Sequence, residues 1–233
     1  MYKPVKDFFT GLGYAVNAEV LGIDVCMQKD GVLTVIELKK GMNMTLLCQA
    51  VDRQSITSQV YVAVPRPKYQ RSRENELCRR IVKKLDLGLI YVNMTDVSIE
   101  IIHFPPSQVK NRSQKRKDMV TKEIEGRSLD VNKGGQVKKP VATAYRERAI
   151  HVACALEQGG ALTVGELRRD YGCDEKTVNI LKDNYHGWFV KVSGERRGAK
   201  YGLTAEGIGM LMDESAGGDF MELVKVYRGE IED

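Results

Sequence analysis

Two carboxylates and a lysine stand at short spacing near the start of the chain, Asp24 and then Glu37-Leu38-Lys39. They fall in Gly22-Ile-Asp-Val-Cys-Met-Gln-Lys-Asp-Gly-Val-Leu-Thr-Val-Ile-Glu-Leu-Lys39, two apolar-rich runs joined at Asp30-Gly31. Asp-Gly between such runs signals a two-residue hairpin, because both turn positions need positive φ. Counting outward from that turn sets Asp24 opposite Glu37, with Cβ atoms about 4.5–5.5 Å apart. Lys39 is two residues beyond Glu37 and points to the same side. The other face carries Val25, Met27, Ile36 and Leu38 and reads as core. Carboxylates in contact repel and need a cation or a shared proton. A hard divalent cation with oxygen ligands answers that need, Mg²⁺ by default and Mn²⁺ as its substitute. With a lysine beside it, the set suits metal-assisted phosphodiester hydrolysis. The alternative is a surface hairpin with ordinary solvated charges. Val35, Ile36 and Leu38 weigh against it, since they predict burial, and a buried unpaired carboxylate is costly.

Asp24 followed by Glu37-Leu38-Lys39 on a hairpin, with a helix before and a helix after, resembles the PD-(D/E)XK nuclease superfamily, with Ile23 in place of the motif's proline. Pro4-Val5-Lys6, Glu19, Gly22, Gln49 to Arg53, Tyr61 to Pro65, Thr143 to Arg146 and Gly187-Trp188-Phe189 extend the resemblance over most of the length. Together they look like a bacterial group of restriction-endonuclease-like proteins with a C-terminal winged-helix domain. The resemblance implies that Asp24 and Glu37 ligate Mg²⁺, with the Leu38 carbonyl as a third ligand. Lys39 would steady the phosphate charge or orient water. Gln49 resembles the helix glutamine that some members place beside the metal. Glu19 is either a further acid near the site or a solvated strand-edge residue. Asp52 and Arg53 lie one turn beyond Gln49, where helical i, i+4 pairing is the plainer role. Tyr14 and Tyr61 read as packing residues, and Lys40 faces away from Lys39.

The elements that must position these residues follow in order. A short amphipathic helix near Val5–Leu12 precedes a strand from Tyr14 to Leu21 and then the hairpin. A helix over Thr45–Ser58 places Leu46, Leu47, Ala50 and Val51 at helical spacing. Tyr61–Val64 is a short buried strand. Arg71–Leu85 is a basic helix predicted to turn Leu77, Ile81 and Leu85 inward. Leu89–Asn93 and Val97–Phe104 form a second hairpin about Thr95-Asp96. This α-β-β-β-α-β-α-β-β order predicts an α/β fold, a restriction-endonuclease-like mixed sheet flanked by helices, over residues 1–105. Residues 106–140 are polar and basic (Lys110, Arg112, Lys115, Arg116, Lys117, Lys122, Lys133, Lys138, Lys139) and read as a linker, with a phosphate-contacting arm as the sharper and compatible alternative and room for a short helix near Asp118–Ile124.

Residues 141–233 predict a separate winged-helix domain. A helix over Ala144–Gln158 is followed by a capping box at Thr163 and Glu166 that opens a short helix. A further helix runs from Glu175 to Asn184 with Asp174 as its cap. Two strands, Phe189–Val192 and Tyr201–Leu203, flank a basic, Gly-bounded wing. Lys176, Thr177, Asn179 and Lys182 are the candidate DNA contacts on the recognition helix, and Arg196, Arg197 and Lys200 on the wing. Asp174, Glu175 and Asp183 on the same helix keep a protein-contact role open.

The chain has 233 residues and a formal net charge of +5, so a nucleic-acid partner depends on clustering of that charge. No apolar run is long enough to span a bilayer and the start lacks a signal-peptide core, which predicts a cytoplasmic protein with no membrane partner. The five cysteines form no C-x-x-C pair and the three histidines are scattered, which argues against zinc and for reduced core thiols. Three functions remain. The first is a Mg²⁺-dependent endonuclease acting on nucleic acid, double-stranded DNA foremost, with a homodimer left open. The second is a non-catalytic DNA-binding regulator on the same fold. The third is a protein-interaction module. The intact Asp24, Glu37 and Lys39 triplet favours the first.

Overall fold

A computed structural model of the chain describes residues 1–106, 113–129, 132–133, 141–195, 198–213 and 218–230. They fall into two compact units, Met1–Glu125 with Asn132–Val137, and Gly126–Val131 with Lys138–Asp233.

The first unit is built on six strands in sequence order: β1 (Ala15–Val20), β2 (Ile23–Lys29), β3 (Val32–Leu38), β4 (Gln59–Pro65), β5 (Gly88–Asn93) and β6 (Ser98–His103). β1, β2 and β3 are antiparallel, β3, β4 and β5 parallel, and β5 and β6 antiparallel, a mixed sheet. Asp30 and Gly31 adopt φ of 51° and 74°, as the Asp-Gly turn requires. Lys29 therefore pairs with Val32, and the register runs out to Val25 opposite Ile36. The next position outward sets Asp24 across from Glu37, as expected.

Helices cover both faces. Helix α1 (Tyr2–Gly11) lays Val5 and Phe9 on the face carrying Val25, Met27, Ile36 and Leu38. The opposite face carries Cys26, Leu33 and Val35 and receives α2 (Met44–Arg53), α3 (Arg73–Lys84) and α4 (Gln114–Glu125). Helix α2 is shorter than its apolar spacing predicts. Asn43 caps its start by accepting from the Leu46 amide. Past Arg53 the run Gln-Ser-Ile-Thr-Ser is poor in helix formers, and the Ser55 hydroxyl donates to Asp52 O at 2.7 Å within a turn.

Two expectations need correction. In α3 the inward residue is Val82, while Leu77 and Ile81 are 47% and 46% exposed. The helix is turned so that Arg79 packs over the Tyr91 ring and donates to its hydroxyl. The basic segment is also not wholly a linker. Val120 and Ile124, four apart in α4, are buried in the first unit's core, and Arg116 of α4 donates to Ser55 Oγ at 2.7 Å. Lys110, Arg112, Lys138 and Lys139 lie outside the described residues.

The second unit runs α5 (Ala144–Gly159), β7 (Leu162–Thr163), α6 (Val164–Asp170), α7 (Thr177–Asp183), β8 (Phe189–Ser193), β9 (Lys200–Leu203), α8 (Ala205–Met212) and α9 (Gly218–Arg228). Its sheet has the order β7-β9-β8. The Thr163–Glu166 capping box forms in both directions. Among the described residues, no helix is long and apolar enough to cross a membrane.

Gly88 opens β5 opposite Tyr61, and a Cβ there would overlap the buried Tyr61 ring. Gly88→Ala is expected to cost about 1–3 kcal/mol by overpacking. In a Tyr61→Val background, which carries its own cavity cost, the same Gly88→Ala change should cost much less. Urea unfolding of the two variants checks this; an unchanged midpoint for Gly88→Ala contradicts the packing described.

Candidate active site

Glu37 lies at the end of β3 on the α2 side of the sheet and is completely buried. Its Oε1 accepts from Arg53 Nε at 2.7 Å. The same guanidinium donates from Nη2 to Gly22 O at 2.6 Å and from Nη1 to Asp52 Oδ2 at 3.3 Å. Arg53 thus clamps the β1–β2 turn to the end of β3. That turn is strained, since Leu21 adopts φ of 51° before Gly22 at 76°. Asp52 in turn accepts from Arg116 of α4 at 3.3 Å.

Asp24, on β2, is half-buried, and its Oδ2 accepts the Leu38 amide at 2.7 Å. Its carboxylate therefore takes over where the β2–β3 ladder ends. Asp24 and Glu37 are within hydrogen-bond reach of each other, and the Glu37 carboxyl is pushed up to about 7. Burial is the largest cause. The Arg53 hydrogen bond opposes it, and the Asp24 charge adds to it. Glu37 Oε2 is buried with no hydrogen-bond partner.

Other predicted residues distribute as follows. The Lys39 amide donates to Ala63 O at 3.1 Å, so the β3–β4 ladder runs one residue past Leu38 and sets the direction in which Lys39 leaves the sheet. Gln49 lies one turn before Arg53 on α2, and its Oε1 is a second buried acceptor without a partner. Glu19 lies across from Asp24, between the pairs Ala18–Val25 and Val20–Ile23, with φ of 51°. Among the described residues, no group of three His, Cys, Asp or Glu side chains gathers as a metal cluster, so the carboxylates number two. Tyr61 is buried and Tyr14 packs edge-on against Phe9, both as packing residues.

The site residue that sequence reasoning missed is Arg53. Its helical position pointed to Gln49 and Asp52, whereas its main partner lies 16 residues back on another element. The one available signal was a cation one turn beyond Gln49 on the helix that follows the hairpin.

Two features suit a hard cation. Glu37 Oε2 and Gln49 Oε1 are buried oxygens without donors, and two carboxylates in contact carry charge that Arg53 alone does not balance. Arg53 engages Oε1 and leaves Oε2 open, so the residues present fit a divalent ion held through one oxygen of Glu37 and by Asp24.

In the second unit, Lys176, Asn179, Lys182 and Lys200 are exposed. Thr177 is not. It is 1% exposed, and its hydroxyl donates to Asp174 O at 2.6 Å, so it is spent inside the protein. Asp174 accepts from the Lys176 amide in a turn ahead of α7 rather than capping the helix directly. Arg196 and Arg197 lie outside the described residues.

A mixed sheet flanked by helices, with paired acids on its central hairpin, is consistent with a restriction-endonuclease-like fold. The chain belongs to the family described as "Putative PD-(D/E)XK phosphodiesterase (DUF2161)", whose model matches residues 89–209. That match runs from β5 into α8, so Asp24, Glu37 and Lys39 stand outside it and rest on the geometry above. No curated protein matches the chain. Two solved structures are similar over 45% of it. One is an fdxN element excision controlling factor protein from Anabaena variabilis, 14% identical and covered over 96% of its length, with a TM-score of 0.34. The other is an XisH family protein from Nostoc punctiforme, 13% identical and covered over 98%, also at 0.34.

The raised Glu37 group has a definite sign in stability. Between about pH 4.5 and about 7 the native carboxyl holds a proton that the unfolded chain has released, so stability falls as pH rises through that window and the loss is complete above it. Glu37→Gln should flatten the fall in metal-free buffer, because it removes the group that titrates in that window. Arg53→Ala should cost about 3–5 kcal/mol at pH 8, where it strands a buried charge, and less at pH 5. Urea midpoints across pH test both; a parallel pH slope in Glu37→Gln contradicts the assignment.

Proposed function

We propose that this protein is a divalent-metal-dependent phosphodiesterase that hydrolyses nucleic acid, double-stranded DNA foremost. The observation that carries the reading is the contact of two acids at one strand end, Asp24 and the fully buried Glu37. Two acids brought together at a strand end, in a chain of the family described as "Putative PD-(D/E)XK phosphodiesterase", need either a shared proton or a cation, and a cation suits the chemistry that family description suggests. Asp24 and Glu37 would hold Mg²⁺ or Mn²⁺, with the Leu38 carbonyl as the further ligand expected from the superfamily resemblance. A bound ion would supply Lewis-acid polarisation of the phosphoryl group.

The protein's own groups divide the remaining work. Lys39 faces charge that develops on the phosphate, or orients the attacking water. Gln49 offers an acceptor to a water proton. Glu19 stands across from Asp24 as a reserve acid. Arg53 keeps Glu37 in one orientation, so that the open oxygen is always the same one. For the second unit, the order α5-β7-α6-α7-β8-β9-α8 supports a winged-helix reading, with Lys176, Asn179 and Lys182 on α7 and Lys200, Arg196 and Arg197 about the wing as phosphate contacts. One observation favours a non-catalytic DNA-binding regulator instead. Arg53 already neutralises part of the charge that would recruit the ion.

Cleavage of plasmid and of single-stranded DNA is expected with Mg²⁺ or Mn²⁺ and not with Ca²⁺, whose looser coordination fixes water and phosphate less tightly. Asp24→Asn keeps an acceptor for the Leu38 amide but removes a ligand charge, and should abolish Mg²⁺ binding and cleavage together. Lys39→Ala should bind Mg²⁺ normally and lose about 10²–10³ in turnover. If the wild type cleaves nothing and Asp24→Asn binds Mg²⁺ equally well in calorimetry, the regulator takes the enzyme's place.

A further inference from the structure

The parallel strands β3, β4 and β5 end on one side of the sheet, and Glu37 and Lys39 stand at that end. Beyond them β4 runs on into Arg66-Pro-Lys-Tyr-Gln-Arg-Ser-Arg73, eight residues with four cations and no carboxylate. The Arg66 amide donates to Val92 O at 2.9 Å, so the start of this segment is still held by the sheet and its direction is fixed. The segment walls a cleft of about 620 Å³ lined by Arg66, Lys68, Tyr69, Arg71, Ser72 and Asn93 among others. Arg66, Lys68, Arg71 and Arg73 are all exposed. Arg66 is partly engaged, at 3.6 Å from Glu100. Among the described residues Lys68 and Arg71 have no acid partner, and Lys68 lies 5.4 Å from the ring centroid of Tyr69, a residue 69% exposed.

Glu37 is level with Val62 of β4 in the parallel register. Arg66 is four residues further along, about 13 Å at the rise of a strand. A duplex carries one phosphate per 3.4 Å of axis on each strand, so this offset corresponds to about four phosphates.

We infer that the Arg66–Ser72 loop is a second contact for a phosphodiester backbone, holding the nucleic acid a few nucleotides from the bond at Asp24 and Glu37. The inference rests on the reading of the chain as a nucleic-acid enzyme and names where its substrate runs. Cations in a cleft at the end of the strands bind phosphates without reading sequence. An exposed tyrosine next to them offers a stacking face to an unpaired base.

The test is equilibrium binding of the full chain to labelled duplex and single-stranded oligonucleotides by fluorescence anisotropy, in EDTA, over a range of salt. Lys68→Gln with Arg71→Gln should flatten the plot of log K against log salt by about 1.8 on duplex and about 1.4 on single strands, two phosphates' worth of counterion release. The charge-preserving pair Lys68→Arg with Arg71→Lys should keep the wild-type slope. Lys83→Gln with Lys84→Gln, at the far end of α3, should keep it too. A slope unmoved by the first pair, an equal fall in the Lys83 and Lys84 control, or a wild type that binds neither oligonucleotide overturns the inference. The outcomes separate from the catalytic reading. A chain that cleaves but shows no slope change loses the loop and keeps the enzyme; one that binds through the loop but never cleaves loses the enzyme and keeps the loop.

Discussion

The first unit depends on how one buried carboxylate is held. Glu37 is fully buried at the end of a central strand, where an ionised acid is costly without a partner. Arg53 supplies a partner for one oxygen and, through Gly22 O and Asp52, ties that oxygen to the β1–β2 turn and to α4. Removing this single guanidinium would take away the one group that joins the turn, the Glu37 carboxylate and Asp52. Asp24 adds a second acid on the neighbouring strand, so with Glu37 ionised the cluster is short of positive charge even with Arg53 in place. A buried ion pair is weak evidence for stability as such. Here it acts by fixing which carboxylate oxygen remains open.

How much of this was legible in the sequence follows from the range of each interaction. Asp30-Gly31 is a local signal, and because a hairpin's register is set by its turn, the Asp24–Glu37 juxtaposition could be read from it. The burial of Glu37 was legible from Val35, Ile36 and Leu38 around it. The Leu21-Gly22 turn was not, since leucine at positive φ is disfavoured and appears only where surrounding contacts impose it. Arg53 was not, since its reach to Glu37 depends on how α2 lies across the sheet, and helical spacing carries no information on that.

The inward face of α3 and the packing of α4 were illegible for related reasons, although the helix near Asp118–Ile124 itself was expected. Apolar residues at helical spacing give a stripe, but the stripe that packs is chosen by the partner surface. Leu77 and Ile81 lost the inward place to Val82 because Arg79 finds the Tyr91 ring on that side. In α4 a polar, basic segment conceals two apolar residues four apart, enough to anchor it to the core while its charges remain outside. The second unit's element order was readable from caps and glycines, with Thr163 and Glu166 forming the expected box. The side on which each residue of α7 lies was less so, as the burial of Thr177 shows.

In the function proposed here, Asp24 and Glu37 share one divalent cation while Arg53 stays on the other oxygen of Glu37. The direct measurement is a crystal structure of the protein in Mn²⁺, with anomalous difference maps at the manganese edge. An anomalous peak bonded to Asp24 and to Glu37 Oε2 is expected, with the Arg53–Oε1 hydrogen bond kept. Maps with no peak between the two carboxylates, or with Arg53 displaced and both oxygens of Glu37 taken by the ion, contradict it.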